Sequence, residues 1–412
     1  MNPRIDRRRM LAAGLSFAGL SAVSSPFARA ATSAFARAAR RSDGARAQRK
    51  LVLIQLTGGN DGLSTLVPFA DDAYYRARPS TAIPKKEVLR LDGYVGLHPS
   101  LRRVRARFDE GELAIVQGTG YPNPVLSHFK ALEVWHTASE RGRNEGAGWV
   151  ARLAEDAWRE SLVSETLIHI GNHAPYSIFS RERLPVSLGS PEAYRWYGTP
   201  NDQGSLEGFG RENEPEGGVH AALDRIRGTL DDARDTSARI RSAGSAYRPH
   251  VEYVDTPFSQ SLRHVAALID AKLETRVYSV ELTGFDTHAS QRGTHDGLMK
   301  VLDRGLDSFL ADLAAAGHAE DILVVAFSEF GRRVTENNSA GHDHGTAGPI
   351  LLAGPVVKGG LHGRHPSLDE LDENNLLHTT DFRSVYAAII DDWFGADSEA
   401  VLGKRYPKLA LI

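Results

Sequence analysis

Five short segments of this chain combine the residue types that hold divalent cations and attack ester bonds. In Gly58-Gly59-Asn60-Asp61-Gly62 a carboxylate, Asp61, sits in a glycine-rich turn where backbone can approach a ligand closely. The same Asn-Asp-Gly run is also ordinary turn chemistry that needs no ligand. Ser127-His128-Phe129 opens an amphipathic stretch containing Leu132, Trp135 and His136. A serine at a helix start meets the positive end of the macrodipole, which stabilises an alkoxide or a bound anion, so Ser127 is a candidate nucleophile; N-capping is its other use.

Asp286 and His288, two residues apart, offer one oxygen and one nitrogen to a single ion, or else form a hydrogen-bonded pair. Glu329 directly follows an apolar run, where a carboxylate is costly to bury without a cation beside it. Arg332 and Arg333 follow; such side chains bind anions or are simply solvated. Gly341-His342-Asp343-His344-Gly345 packs two imidazoles and a carboxylate into a loop. Together a carboxylate, a serine, an Asp-x-His pair, a glutamate and an Asp-His loop suit a metal-assisted hydrolase.

Such chemistry requires elements that hold distant segments side by side. Apolar runs at Lys50 to Leu56, Leu113 to Val116, Val277 to Leu282, Ile322 to Phe327 and Ile350 to Leu352 read as strands buried on both faces. Between them Leu298, Val301, Leu302, Leu306, Phe309, Leu310 and Leu313 recur at helical spacing, and Val219 to Ile240 reads as a second helix. The alternation predicts an α/β fold, a three-layer α/β/α sandwich around a mostly parallel sheet. Ligands bind beyond the carboxyl ends of such strands, where the polar segments above are expected. Residues 50–412 read as a single domain with an insertion around 190–250.

The start of the chain reads differently. Arg7-Arg8-Arg9-Met10-Leu11, an apolar stretch from Ala12 to Val23, and Ala28-Arg29-Ala30 make residues 1–30 a twin-arginine signal peptide, with Ala36-Arg37-Ala38 a second possible cleavage site. The translocation machinery is thus an expected partner, and the mature form is expected in the periplasm or outside the cell without a membrane anchor. Residues 31–49 read as a flexible lead-in. The leader carries five arginines and one aspartate, so removing its +4 from the net charge of −3 leaves −7, which gives no sign of a nucleic-acid partner. With no cysteine anywhere, any metal must be held by oxygen and nitrogen.

Gly58-Gly59-Asn60-Asp61-Gly62, Ser127-His128-Phe129, Gly284-Phe285-Asp286-Thr287-His288, Ser328-Glu329-Phe330-Gly331-Arg332 and Asp343-His344-Gly345-Thr346-Ala347-Gly348 resemble the secreted bacterial family called domain of unknown function 1501. That family is distantly related to the alkaline phosphatase and sulfatase superfamily. The resemblance implies an alkaline-phosphatase-like sandwich with two divalent ions (zinc, manganese, magnesium or calcium) flanking a nucleophile at Ser127. It implies Asp61, the Asp-His pair Asp286 and His288, Glu329 and the late histidine His344 as metal ligands, with Asn60, His128 and Arg332 as substrate contacts. One departure stands out: the superfamily has adjacent Asp and His after its fourth strand, and this chain has Glu329 and Phe330. Phenylalanine cannot ligate, so one ion or a non-catalytic site becomes the alternative. Two functions follow: a hydrolase of phosphate or sulfate esters, or a secreted binding or assembly protein that keeps the fold.

Overall fold

Lys50–Thr57 (β1) owes its place at the centre of the sheet to its side-chain alternation: Val52, Ile54 and Leu56 join one apolar cluster, while Leu51 and Leu53 join another on the opposite face. The computed structural model describes residues 48–139, 146–180, 185–194 and 219–412, with residues 219–232 described by their backbone alone. The leader, the second cleavage site and residues 195–218 of the expected insertion lie outside these.

After β1 the strands of the main sheet are Leu113–Gly120 (β2), Leu167–Ile170 (β3), Val186–Leu188 (β4) and Val277–Thr283 (β5). Ile322–Phe327 (β6), Gly348–Ala353 (β7), Gly360–His362 (β8) and Thr380–Asp381 (β9) complete it. Their spatial order is β8-β2-β7-β6-β1-β5-β3-β4, with β9 beside β2. Pairings are parallel except those of β7, which runs antiparallel to both β2 and β6.

Helices cover both faces. His128–Thr137 (α1), Trp149–Ala157 (α2) and Phe382–Ala388 (α6) bury Trp135, Leu153 and Val385 in the cluster under Leu51 and Leu53. Val219–Ala246 (α3) crosses the expected insertion as one helix. Pro257–Asp270 (α4) and Gln291–Ala315 (α5) bury Leu262, Leu302, Leu306 and Phe309 against Val52 and Ile54. This is the three-layer α/β/α arrangement with a mostly parallel sheet. No helix among the described residues is long and apolar enough to cross a membrane.

Because β1, β5 and β6 are adjacent and parallel, their carboxyl ends release Gly58 to Asp61, Gly284 to His288 and Ser328 to Arg332 along one rim.

Candidate metal centre

The rim segments are tied to one another by backbone. Gly331 donates its N–H to Thr346 O, Gly345 to Gly331 O and Arg333 to Asp343 O, so the loop carrying His344 runs beside the segment after β6. Glycine is required at this crossing, since a Cβ on Gly331 would lie 2.1 Å from Ala347 O. Phe285 N–H donates to Thr57 O, which docks the Asp286 loop onto the end of β1.

Ser127 stands at the N-cap of α1, yet its side chain makes no capping hydrogen bond. The capping alternative is therefore absent, and the next residue, His128, projects into the site. His128 Nε2 lies 3.5 Å from Asp286 Oδ1, His344 Nε2 lies 3.3 Å from it, and His288 Nε2 lies 3.0 Å from it. His288 Nε2 and His344 Nε2 are 3.0 Å apart. Ligand atoms of His128, Asp286 and His344 all fall within 4.8 Å of one another.

The far side of each imidazole explains the near side. His128 Nδ1 is 2.9 Å from Glu329 Oε1, His344 Nδ1 is 2.9 Å from Leu126 O, and His288 Nδ1 is 3.3 Å from Asp343 Oδ1. Carbonyl and carboxylate oxygens only accept, so each Nδ1 carries the proton and, in the neutral ring, each Nε2 presents a lone pair. In neutral rings three lone pairs then face one carboxylate oxygen, a repulsion that protons on Nε2, the Arg332 guanidinium 2.8 Å from Asp286 Oδ1, or a bound cation would relieve. His128 Nε2 is buried without a hydrogen-bond partner. The 3.5 and 3.3 Å separations of His128 and His344 from Asp286 fit an ion, since tetrahedral ligands at zinc-like bond lengths of about 2.1 Å stand roughly 3.4 Å apart.

Charge around the cluster is mixed, with the Glu329 carboxylate on His128 and the Arg332 guanidinium on Asp286. The hydrogen bond to Glu329 raises the pKa of His128, against the opposing effect of burial. A field that draws a proton to His128 also draws a metal ion. Partial burial of Asp286 favours its neutral form, but the Arg332 guanidinium overrides this and brings the carboxyl down to about 2. Phe330 packs its ring 4.9 Å from His128 and 4.8 Å from His344, fixing both imidazole planes.

Residues 220–402 match the family model described as "Protein of unknown function (DUF1501)". The match covers 183 of the 412 residues, under half of the chain. It contains Asp286, His288, Glu329, Arg332 and His344, whereas Ser127 and His128 reach the site from outside the matched residues. No protein of curated function matches the chain in sequence. Among solved structures, Ps i-CgsB in complex with k-i-k-neocarrahexaose is similar at 12% identity and a TM-score of 0.43, over 88% of this chain and 75% of that one. A phosphonate monoester hydrolase from Silicibacter pomeroyi is similar at 11% identity and TM-score 0.39, covering 88% and 78% of the two chains. A protein of the alkaline phosphatase superfamily from Vibrio parahaemolyticus is similar at 10% identity and TM-score 0.39, covering 86% and 69%. Likeness at this level transfers no activity.

Within the matched segment and beside it, several expected roles shift. Asp61 does not join the cluster: it caps the short helix Gly62–Thr65 through Leu63 N–H and accepts from Arg78 Nη1 at 2.6 Å, Ser64 Oγ at 2.7 Å and Gln291 Nε2 at 2.5 Å. Burial would raise its pKa, yet Arg78 outweighs that and holds the carboxyl far below the usual range. Glu329 is also not a converging ligand, because its carboxylate accepts from Gly58 N–H, Ser328 Oγ and His128 Nδ1.

Arg332 is 1% exposed rather than open to substrate. Its guanidinium donates to the carbonyls of Gly58, Gly59, Phe285 and His342 and to Asp286 Oδ1. Asn60 is buried too, its Oδ1 accepting from Thr65 Oγ1 and its N–H donating to Ser328 Oγ. His342 turns away toward Thr81 Oγ1 and Arg333 O, and burial lowers its pKa to about 4. His128, expected as a substrate contact, instead supplies a converging nitrogen.

Proposed function

We propose that this protein hydrolyses phosphate or sulfate esters with a single divalent ion held by His128, Asp286 and His344. The observation that supports this most is the set of three imidazoles whose Nδ1–H groups are all tied to acceptors, which aims three Nε2 lone pairs at Asp286. A nitrogen-rich donor set favours zinc over magnesium or calcium. Three protein donors leave an open position, as catalytic zinc sites do, and His288 stands beside it. When bound, the ion would supply a Lewis acid and lower the pKa of a hydroxyl next to it.

The chain's own residues would do the rest. Ser127 is held between Leu126, whose carbonyl fixes His344, and His128, so both ring orientations and the serine share one backbone turn. Its hydroxyl, free of capping duty at the amino end of α1, is the nucleophile of this reading. Asp61, which the resemblance implies as a ligand of a second ion, is instead buried against Arg78, Ser64 and Gln291. Export by the twin-arginine route to the periplasm or beyond belongs to the same proposal and rests on the leader sequence alone.

One observation favours the second reading, a non-catalytic binding or assembly protein: Arg332 and Asn60, the expected substrate contacts, are spent on the protein's own backbone and side chains. Assay of zinc-loaded protein and Ser127→Ala on an aryl phosphate and an aryl sulfate separates the two. Turnover that a chelator stops and that Ser127→Ala lowers by 10³-fold or more supports the hydrolase, a loss of about 4 kcal/mol in barrier stabilisation. Metal-dependent turnover unchanged in Ser127→Ala removes the serine from the mechanism, and no turnover on either ester favours the binding protein.

A further inference from the structure

Three acceptors hold the three imidazoles, and they are not equivalent. Leu126 O is a neutral carbonyl and Asp343 is about half exposed, whereas Glu329 is a carboxylate with no exposure. Glu329 is also immobilised: Oε1 accepts from Gly58 N–H at 2.9 Å, and Oε2 accepts from Ser328 Oγ at 3.0 Å. It therefore sits held between the ends of β1 and β6, and the second lone pair of Oε1 faces His128 Nδ1 at 2.9 Å.

We propose that Glu329 is a positioning residue for the metal centre: it fixes the Nδ1–H tautomer of His128, aims Nε2 at Asp286 and makes that nitrogen a stronger donor. This rests on the one-ion reading above. The physical case is that an imidazole can swap its proton between nitrogens at small cost in water, and a buried charged acceptor on one side removes that freedom. His128 lies on the first turn of α1, 201 residues from Glu329, so nothing local in the sequence would hold its ring in this orientation. Phe330, the neighbour of Glu329, sets the ring plane from the other side.

Glu329→Gln keeps the volume and an acceptor oxygen while removing the charge. Zn²⁺ titrated into the chelator-treated full-length chain should bind the variant 10–100-fold more weakly than wild type, with the stoichiometry still one. In metal-free wild type at alkaline pH, ¹⁵N-edited spectra should show His128 protonated on Nδ1. Equal Zn²⁺ affinity in the two proteins overturns the proposal, and so does an Nε2–H tautomer in wild type. If wild type takes up no Zn²⁺, the one-ion reading fails by itself, and the tautomer still decides the role of Glu329. The same measurement on wild type also stands should Glu329→Gln not fold.

Discussion

Replacing Arg78 by methionine tests whether Asp61 is a structural partner rather than a ligand. Arg78 is fully buried, and its guanidinium meets Asp61 Oδ2 at 2.6 Å, Val334 O at 2.9 Å and Arg333 O at 3.0 Å. Methionine fills a similar space but leaves a buried carboxylate without its counter-charge, a change worth about 3–5 kcal/mol. The two carbonyls that lose a donor add about 1 kcal/mol each at most. Ser64 and Gln291 still donate to Asp61 and offset part of this, so a loss of about 4 kcal/mol is expected in urea unfolding at neutral pH.

The pH dependence carries a sign of its own. In wild type the folded pKa of Asp61 is depressed, so its contribution is present above the unfolded value of about 4 and fades as pH falls below it. Without Arg78, burial opposes only the weaker support of Ser64 and Gln291, the folded pKa rises, and Arg78→Met should regain stability relative to wild type as pH drops from about 7 toward about 4. Asp61→Asn combined with Arg78→Met should recover much of the loss. A decrease under about 1 kcal/mol for Arg78→Met, or a double variant no better than the single, would refute the reasoning.

Acid should also destabilise the protein through imidazoles buried in neutral form: desolvation lowers His136 and His169 to about 4 and His295 to about 3. Because the unfolded value is near 6.5, stability should fall as pH drops from about 6.5 toward about 4, by on the order of 2 kcal/mol per group, and His136→Gln should flatten the profile in unfolding measured between those limits. Gly59→Ala should cost about 1–3 kcal/mol in thermal unfolding and loosen the cluster, since φ is +76° and the added Cβ would lie 2.3 Å from Phe330 Cε2, whose ring supports His128 and His344.

Strands buried on both faces announced themselves: Ile322 to Phe327 is apolar throughout, and Lys50 to Leu56 is apolar but for Lys50 and Gln55, because helices cover them on either side. Leu113 to Val116 was readable only in part, as the strand continues to Gly120 through Gln117 and Thr119, whose polar side chains are buried against neighbouring loops. The direction of β7 could not be read, since a strand's burial pattern does not record its polarity. At the site, Asp286 and His288 were recognisable because they follow a strand two residues apart, and His344 because it sits in a His- and Asp-rich glycine loop just before β7. Asp61 misled because its partner, Arg78, lies 17 residues away and is buried only by tertiary packing. Arg332 and Arg333 look alike in sequence, yet one is enclosed by four carbonyls and the other is half-buried. The sequence held a signal for His128 only in its place beside Ser127, and its aim depends on Glu329 across the sheet.

The account turns on whether one cation lies among His128, Asp286 and His344. A crystal of the chain grown with zinc, with anomalous diffraction recorded at the zinc edge, answers this directly. The prediction is a single strong anomalous peak bonded to His128 Nε2, Asp286 Oδ1 and His344 Nε2, with none at Asp61. A zinc-saturated crystal with no peak at that position, or with its peak on Asp61, would contradict it.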